Sequence, residues 1–199
     1  MADVPCFLLL PTNRYRVTLC RTADGDGACR GGHYAEAAGG EEVHAQAPTS
    51  GHPEEALRLA GDPRWPVACA RCGRAFAPDD ERRVLFRTLY DRGDGGPPCT
   101  IASAPPGAMW DATWMPASLR GPDGRCLFVR LPNGRDWSID SEAGNCTRKG
   151  DRTHQCWIRH GVPPRLTVDK QGDTCDAGAG SIQSGDYHGY LRDGVLVGD

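Results

Sequence analysis

The sequence predicts a mainly β protein with short helices, a small α+β fold whose connections are rich in loops. Gly (26) and Pro (16) together make up about a fifth of the 199 residues, against about an eighth in average proteins. This excess favours turns and short strands over long helices. Two dipeptides typical of tight hairpin turns, Asn133-Gly134 and Asp193-Gly194, lie in the second half of the chain. We therefore expect a loop-rich N-terminal half and a C-terminal half of antiparallel hairpins.

The N-terminal region, residues 1–91, carries few signals of regular structure. Apolar residues alternate over Arg14–Leu19, which predicts a strand. The segment Pro53–Gly61 is typical of a short helix, because proline is well tolerated at the first helical position and glycine ends the apolar run. Asp80–Tyr90 is apolar enough for either a helix or a strand. The turn-rich segment Arg92–Pro98 marks the boundary to a second domain.

The C-terminal region, residues 92–199, is predicted to be an antiparallel β domain. Each of the two turn dipeptides is flanked by short apolar segments, and both residues of each dipeptide tolerate the positive φ of a type I′ turn. Further short strands are expected at Thr153–His160 and Arg165–Val168. The flanking strands are Cys126–Leu131 with Arg135–Asp140, and Tyr187–Leu191 with Val195–Val197.

The segment Met109–Pro116 holds two tryptophans and two methionines in eight residues. We expect it to pack in the core or to cover a hairpin. If part of it is exposed, it is a candidate anchor for a partner protein, because Trp and Met are enriched at interfaces.

The clearest chemical motif is a zinc knuckle in Val67–Phe76. Cys69 and Cys72 are two residues apart, and Gly73 follows directly. A tight turn of this kind aims both thiolates at one point, and glycine lets backbone N–H groups face the sulfur atoms. Ten cysteines in a chain with no export signal indicate metal ligands or buried thiols. A disulfide framework formed later, outside the cell, is the alternative.

Zinc requires four ligands, and Cys29 with His33 forms a second pair at workable spacing. The sequence therefore predicts a zinc site made of Cys29, His33, Cys69 and Cys72. His44, His52 and Cys20 are the possible substitutes. A structural zinc ion supplies about 10–16 kcal/mol of apparent binding free energy, which is comparable to the whole net stability of a domain, about 5–15 kcal/mol. One such site can hold the helix-poor first half in shape.

A second group of candidate residues lies within about forty positions near the C-terminus. If residues 153–160 form a strand, His154, Cys156 and His160 share one face. The group can hold a second metal ion, or contain buried thiols or a disulfide from Cys146 to Cys156 or Cys175. A third alternative is a Cys–His catalytic pair, in which Cys175 acts beside the glycines that follow it. The members of the group are Cys146, His154, Cys156, Cys175 and His188.

Several segments together resemble an uncharacterised family of Cys- and His-rich proteins encoded by phages and prophages of GC-rich bacteria. These segments are Trp137–Asp140, Asn145–Thr147, His154–Gly161, Thr167–Lys170 and Tyr187–Leu191, with Asp62–Pro66 ahead of the knuckle. The resemblance covers about residues 60–199. It implies a biological setting, and it implies neither an activity nor catalytic residues.

Two classes of function follow. The first is a non-enzymatic, zinc-stabilised structural or interaction protein. The resemblance implies that such a protein is a virion component of the capsid, neck or tail. Its partners are then other virion subunits or further copies of itself. The second is a small zinc- or thiol-dependent hydrolase that uses the C-terminal group. The net charge of −3 argues against nucleic-acid binding, and no segment has the pattern of a membrane span. We expect synthesis in the bacterial host cytoplasm and incorporation into a virion.

Overall fold

The computed structural model describes residues 2–37, 40–44, 59–151, 154–170, 175–177 and 180–199. The described part of the chain is mainly β, as predicted, and it contains several antiparallel sheets. Its regular helical structure is limited to two short 3-10 helices, Ile101–Ser103 and Ala117–Leu119. None of its helices is long and apolar enough to cross a membrane.

The strands are numbered in chain order. They are β1 (Val4–Pro5), β2 (Phe7–Ala23), β3 (His33–Glu36), β4 (Glu41–His44), β5 (Glu81–Arg92), β6 (Ala108–Asp111), β7 (Leu127–Arg130), β8 (Asp136–Ser138), β9 (Ile158–Val162), β10 (Arg165–Asp169), β11 (Ile182–Ser184), β12 (Tyr187–Arg192) and β13 (Val195–Gly198).

Close contacts divide the chain into two compact units. The first consists of residues 11–90, and the second consists of residues 1–10 together with 91–199. The N-terminal ten residues belong to the second unit because β1 pairs with β13 and because Phe7 and Leu8 of β2 pair with β6. The predicted independence of regions 1–91 and 92–199 stays a prediction.

The first unit is organised around the long strand β2. The predicted strand Arg14–Leu19 lies within it, and β3, β4 and β5 all pair with it. The stretch Asp80–Tyr90, predicted as helix or strand, forms β5. Leu19, Trp65 and Val84 form one of its apolar contact groups. The predicted helix Pro53–Gly61 lies almost entirely outside the described residues.

The second unit contains the larger apolar core. One sheet has the order β1-β13-β12-β11, and β6, β7 and β8 pair in sequence as antiparallel neighbours. The predicted strand Arg165–Val168 lies in β10, which pairs with β9. The core consists of the inward-facing side chains of these strands: Met109, Leu127, Val129, Leu131, Trp137, Ile139, Leu166, Val168, Ile182, Tyr187, Leu191 and Leu196.

The two predicted hairpins both form, and their turns differ. Arg192 and Val195 pair across Asp193-Gly194, and both of these residues have positive φ, as a type I′ turn requires. At Asn133-Gly134 the prediction of a type I′ turn is wrong, because only Gly134 has positive φ. The loop contains three residues, since the Gly134 N–H donates to the Leu131 carbonyl and the Leu131 N–H donates to the carbonyl of Arg135. Pro132 presets the φ of a type I turn, and Gly134 then supplies the left-handed residue.

The tryptophan-rich segment Met109–Pro116 divides between the interior and the surface. Trp110 lies in β6, where only 2% of it is exposed, and it stacks on Phe128 with ring centroids 5.9 Å apart. Trp114 lies beyond the strand and is 61% exposed. One tryptophan of the segment is therefore buried, and the other is exposed to solvent.

Candidate metal centres

The knuckle is a tight turn closed by backbone hydrogen bonds. Ala68 and Ala75 form an antiparallel bridge, and the Cys69 N–H donates to the Arg74 carbonyl at 2.8 Å. The Gly73 N–H donates to the Cys69 carbonyl at 2.9 Å, and Gly73 has a φ of +76°. A residue with a Cβ is strained at this φ, which explains the glycine after the second cysteine. The turn holds Cys69 and Cys72 at one end of the loop.

The second ligand pair lies in the connection from β2 to β3. Cys29 follows a turn in which Asp26 Oδ1 accepts from the Ala28 N–H at 2.8 Å and from the Cys29 N–H at 3.1 Å. Gly32 has a φ of +100° and donates its N–H to the Cys29 carbonyl. His33 then begins β3. The turn and the strand start thus place the thiol and the imidazole close together.

These two pairs meet in the first unit. The ligand atoms of Cys29, His33, Cys69 and Cys72 all lie within 4.8 Å of one another, and the Cys72 Sγ is 3.4 Å from His33 Nδ1. Tetrahedral zinc with Zn–S bonds of about 2.3 Å holds its ligand atoms about 3.5–4 Å apart. The four residues therefore fit a metal ion of this size. We refer to them as site 1; their binding of zinc stays a prediction.

Site 1 has an uneven distribution of thiol acidity. The backbone N–H groups of Tyr34, Cys72 and Arg71 lower the pKa of Cys69 to about 5. Burial and the neighbouring thiols of Cys72 and Cys69 raise the pKa of Cys29 to about 11. The N–H donors thus favour the thiolate form of Cys69. Desolvation and the nearby thiols oppose the thiolate form of Cys29. A bound cation removes this conflict, because metal ligation deprotonates thiols.

The C-terminal residues form a second group in the second unit. The ligand atoms of Cys146, His154, Cys156 and Cys175 lie within 4.8 Å of one another, and all four residues are buried. His154 Nε2 is 3.5 Å from Cys156 Sγ, and Cys175 Sγ is 3.7 Å from Cys156 Sγ. We refer to these four residues as site 2. All ten cysteines of the chain are described, and each is a thiol.

Backbone N–H groups surround the sulfur atoms of site 2. Ala143 N lies 3.2 Å from Cys156 Sγ, Arg148 N lies 3.3 Å from Cys146 Sγ, and Ala177 N lies 3.4 Å from Cys175 Sγ. Such donors stabilise thiolates, because each charge meets an aligned dipole.

The thiols of site 2 also differ in acidity. Burial raises the pKa of Cys175, but the N–H groups of Ala177 and Thr147 and the nearby thiols outweigh burial and lower this pKa to about 6. Burial raises the pKa of Cys156 to about 12. As in site 1, the surroundings favour the thiolate form of one cysteine, Cys175, and the neutral thiol form of another, Cys156.

The predicted strand Thr153–His160 does not form over residues 154–157, and Thr153 lies outside the described residues. The strand β9 begins at Ile158, and His154 and Cys156 lie in the loop before it. His160 therefore does not share a face with them. It is exposed, and its Nε2 lies 3.1 Å from Asp169 Oδ1. The loop lets His154 and Cys156 turn toward the same point without the alternation of a strand.

Several other candidates lie elsewhere. His188 is exposed on β12, where its Nδ1 is 3.2 Å from Asp199 Oδ2, and it is not part of site 2. Of the substitutes for site 1, Cys20 is buried in β2, where its backbone pairs with that of Glu36 in β3. The backbone of His44, in β4, pairs with that of Arg14 in β2. His52 lies outside the described residues.

Sequence reasoning missed Asp26. Its Oδ2 lies 3.1 Å from His33 Nε2, the ring nitrogen that faces away from the thiols. The short spacing from Asp26 to Cys29 was a usable signal, because Asp commonly accepts from backbone N–H groups two and three residues ahead. Its proximity to His33 depends on the fold of the loop, which spacing does not reveal.

Comparisons with protein-family models, with curated proteins and with solved structures find no match to this chain.

Proposed function

We propose that this chain is a non-enzymatic structural protein in which each unit is stabilised by one zinc ion. The observation that carries the proposal is the pair of Cys3His groups, in each of which all ligand atoms lie within 4.8 Å. Three thiolates and one imidazole are a common ligand set of structural zinc sites. Sulfur and nitrogen donors select zinc over magnesium and calcium, which prefer oxygen ligands.

The stability of the first unit supports this proposal. Two apolar groups among its described residues are small: one contains Leu19, Trp65 and Val84, and the other consists of Cys29, Ala35, Cys69 and Phe76. A structural zinc ion contributes about 10–16 kcal/mol of apparent binding free energy. With apolar groups of this size in its described part, we expect a metal ion to supply a large share of the stabilisation of the unit.

A structural role is favoured over hydrolysis by the completeness of both ligand sets and by the burial of site 2. Catalytic zinc sites keep one position open for water, whereas four protein ligands close the shell. In site 2 all four residues are at most 9% exposed, and Cys175 is 3% exposed. A thiol nucleophile has to be reached by its substrate. The alternative of a zinc or thiol hydrolase therefore gains no support from the geometry.

Contact with another protein is the second part of the proposal. Trp114 is 61% exposed, and large aromatic residues commonly anchor interfaces. The resemblance to phage-encoded proteins supports a virion subunit, or another copy of this chain, as the partner.

If self-association is the relevant contact, sedimentation should show a concentration-dependent oligomer that Trp114→Ala weakens at least several-fold. A monomer at all concentrations contradicts self-association and leaves virion subunits as the partner to test.

Metal analysis tests the zinc proposal directly. Protein purified under reducing conditions should contain two equivalents of zinc. Cys69→Ser should reduce this to one equivalent by removing a ligand of site 1, and Cys156→Ser should do the same through site 2. Cys20→Ser is the matched control, because Cys20 is equally buried in the first unit and belongs to neither site.

The same variants test the structural role. Cys69→Ser should lower the thermal midpoint by at least about 10 °C, since a loss of about 3 kcal/mol or more corresponds to several degrees per kcal/mol in units of this size. Native protein with no zinc, or a Cys69→Ser variant as stable as Cys20→Ser, contradicts the proposal.

A further inference from the structure

The orientation of the His33 ring decides which nitrogen faces the metal position. The His33 side chain is fully buried, and its Nδ1 lies 3.4 Å from the Cys72 sulfur. Nδ1 is therefore the nitrogen directed at the thiols of site 1. A neutral imidazole that ligates through Nδ1 carries its proton on Nε2. That N–H then needs an acceptor inside the protein.

Asp26 is the acceptor that the loop supplies. Its Oδ2 lies 3.1 Å from His33 Nε2, and among the described residues this nitrogen has no other partner. The two atoms are in contact without a formed hydrogen bond, because the ring N–H is not directed at this oxygen. A buried N–H left without an acceptor costs about 1–3 kcal/mol. The pairing thus determines which form of the imidazole is stable.

The carboxylate is itself held in place by its second oxygen. Asp26 Oδ1 accepts from the N–H groups of Ala28 and Cys29, which closes the turn before the first thiol ligand. One side chain therefore shapes the backbone at Cys29 and faces the ring of His33. Two ligands of site 1 depend on it.

Site 2 provides a contrast inside the same chain. His154 directs Nε2 toward the thiols, at 3.5 Å from Cys156 Sγ. Its Nδ1 is buried and has no hydrogen-bond partner among the described residues. The two sites thus present opposite imidazole nitrogens, and in site 1 the Asp26 carboxylate lies 3.1 Å behind the ring.

We propose that, in the zinc-bound protein, Asp26 is a positioning residue that accepts a hydrogen bond from the Nε2–H group of His33 and so makes His33 ligate zinc through Nδ1. The inference rests on the proposed function, because it requires zinc at site 1. Carboxylates behind metal-bound histidines fix the ring and raise its basicity, and their loss typically costs 10–100-fold in metal affinity.

Asp26→Asn isolates the contact with His33. The amide oxygen of the asparagine can still accept from the N–H groups of Ala28 and Cys29. Its NH2 group then faces the His33 N–H, and two donors cannot form a hydrogen bond. If the amide flips, the same conflict moves to the turn. Asp24→Asn is the matched control, because it removes the same charge from an exposed position in the same loop.

Two measurements test the proposal. In zinc-loaded wild type, long-range 1H–15N spectra of the imidazoles should show His33 bound through Nδ1 with a protonated Nε2, and His154 bound through Nε2. In competition with a chromophoric chelator, Asp26→Asn should weaken zinc binding at site 1 by 10–100-fold and leave site 2 unchanged. Asp24→Asn should bind both ions like the wild type.

The outcomes separate this inference from the proposed function. Two bound zinc ions with His33 ligating through Nε2, or with Asp26→Asn within twofold of Asp24→Asn, overturn the role of Asp26 and leave the zinc proposal standing. Wild-type protein without zinc overturns both. If Asp26→Asn does not fold, the imidazole spectrum of the wild type still decides the ligating nitrogen.

Discussion

At the scale of single residues, chemical environment divides cysteines that look alike in the sequence. Burial raises the pKa of Cys6 to about 12, whereas backbone N–H donors led by Tyr34 lower the pKa of Cys69 to about 5. The difference arises from the dipoles that the fold aims at each sulfur atom, so the count of ten cysteines could not show which of them favour the thiolate.

Asp140 is a single residue that should make the stability of the fold depend on pH. Its side chain is 6% exposed, with Oδ1 at 3.1 Å from the Nε of Arg159. Burial raises its pKa to about 6, in spite of the opposing effect of Arg159. A carboxyl group whose pKa is raised in the folded state stabilises the fold below the unfolded pKa, and this contribution is lost as the pH rises through about 6.

We expect Asp140→Asn to remove this pH dependence. Between pH 5 and pH 7.5, the free energy of unfolding of the wild type should fall relative to that of the variant by about 1 kcal/mol. Denaturant titrations of both proteins with zinc present at each pH measure the difference. Parallel pH profiles would show that Asp140 is charged over the whole range.

At the scale of elements, two turn dipeptides of the same type take different conformations. Asp193-Gly194 forms the two-residue turn that the sequence predicts, whereas Asn133-Gly134 is extended by Pro132 into a three-residue loop. The Asn133 amide also donates to the carbonyl of Ser184 and to Asp186, about fifty positions away. A neighbouring proline and a distant contact thus decided the turn type.

The glycines of these turns offer a matched pair of substitutions. Gly134 and Gly194 have φ values of +78° and +75°, so alanine strains both turns by a similar amount, about 1 kcal/mol. A Cβ at Gly134 meets no atom within 4 Å, but at Gly194 it would lie 2.7 Å from the Pro164 carbonyl oxygen. Gly194→Ala should therefore destabilise the protein by about 1–3 kcal/mol more than Gly134→Ala. Chemical denaturation measures the free energy of unfolding of both variants. Equal losses of stability would mean that the backbone at Pro164 moves away from the new methyl group at little cost.

At the scale of the whole molecule, the described residues of each unit contain one Cys3His group drawn from distant parts of its chain segment. Site 1 joins the loop after β2 to the knuckle before β5, and site 2 joins three loops of the second unit. The two sites differ in access, because Cys72 is exposed whereas every ligand of site 2 is buried. The protein thus has one open and one enclosed candidate centre.

This difference predicts the order of metal loss. With excess chelator and a thiol-alkylating reagent, zinc should leave in two phases, site 1 first. Among the ligand thiols of the two sites, only that of Cys72 is exposed enough to react without prior opening. Peptide mapping after the first phase should find Cys72 modified and Cys146, Cys156 and Cys175 protected. Release in a single phase, or earlier modification of the site 2 thiols, would show that burial does not control exchange.

What the sequence determined by itself was local. The mainly β character, the strand within β2, the type I′ hairpin at Asp193-Gly194 and the pairing of Cys69 with Cys72 all follow from spacings of a few residues, which backbone geometry converts directly into structure. Only the tertiary structure decided what depends on distant segments. It brought Cys29 and His33 to the knuckle, placed His188 apart from site 2, started β9 after Cys156, and set Asp26 behind His33. These outcomes depend on how chain segments tens of residues apart approach one another, and no local pattern of residue types specifies that approach.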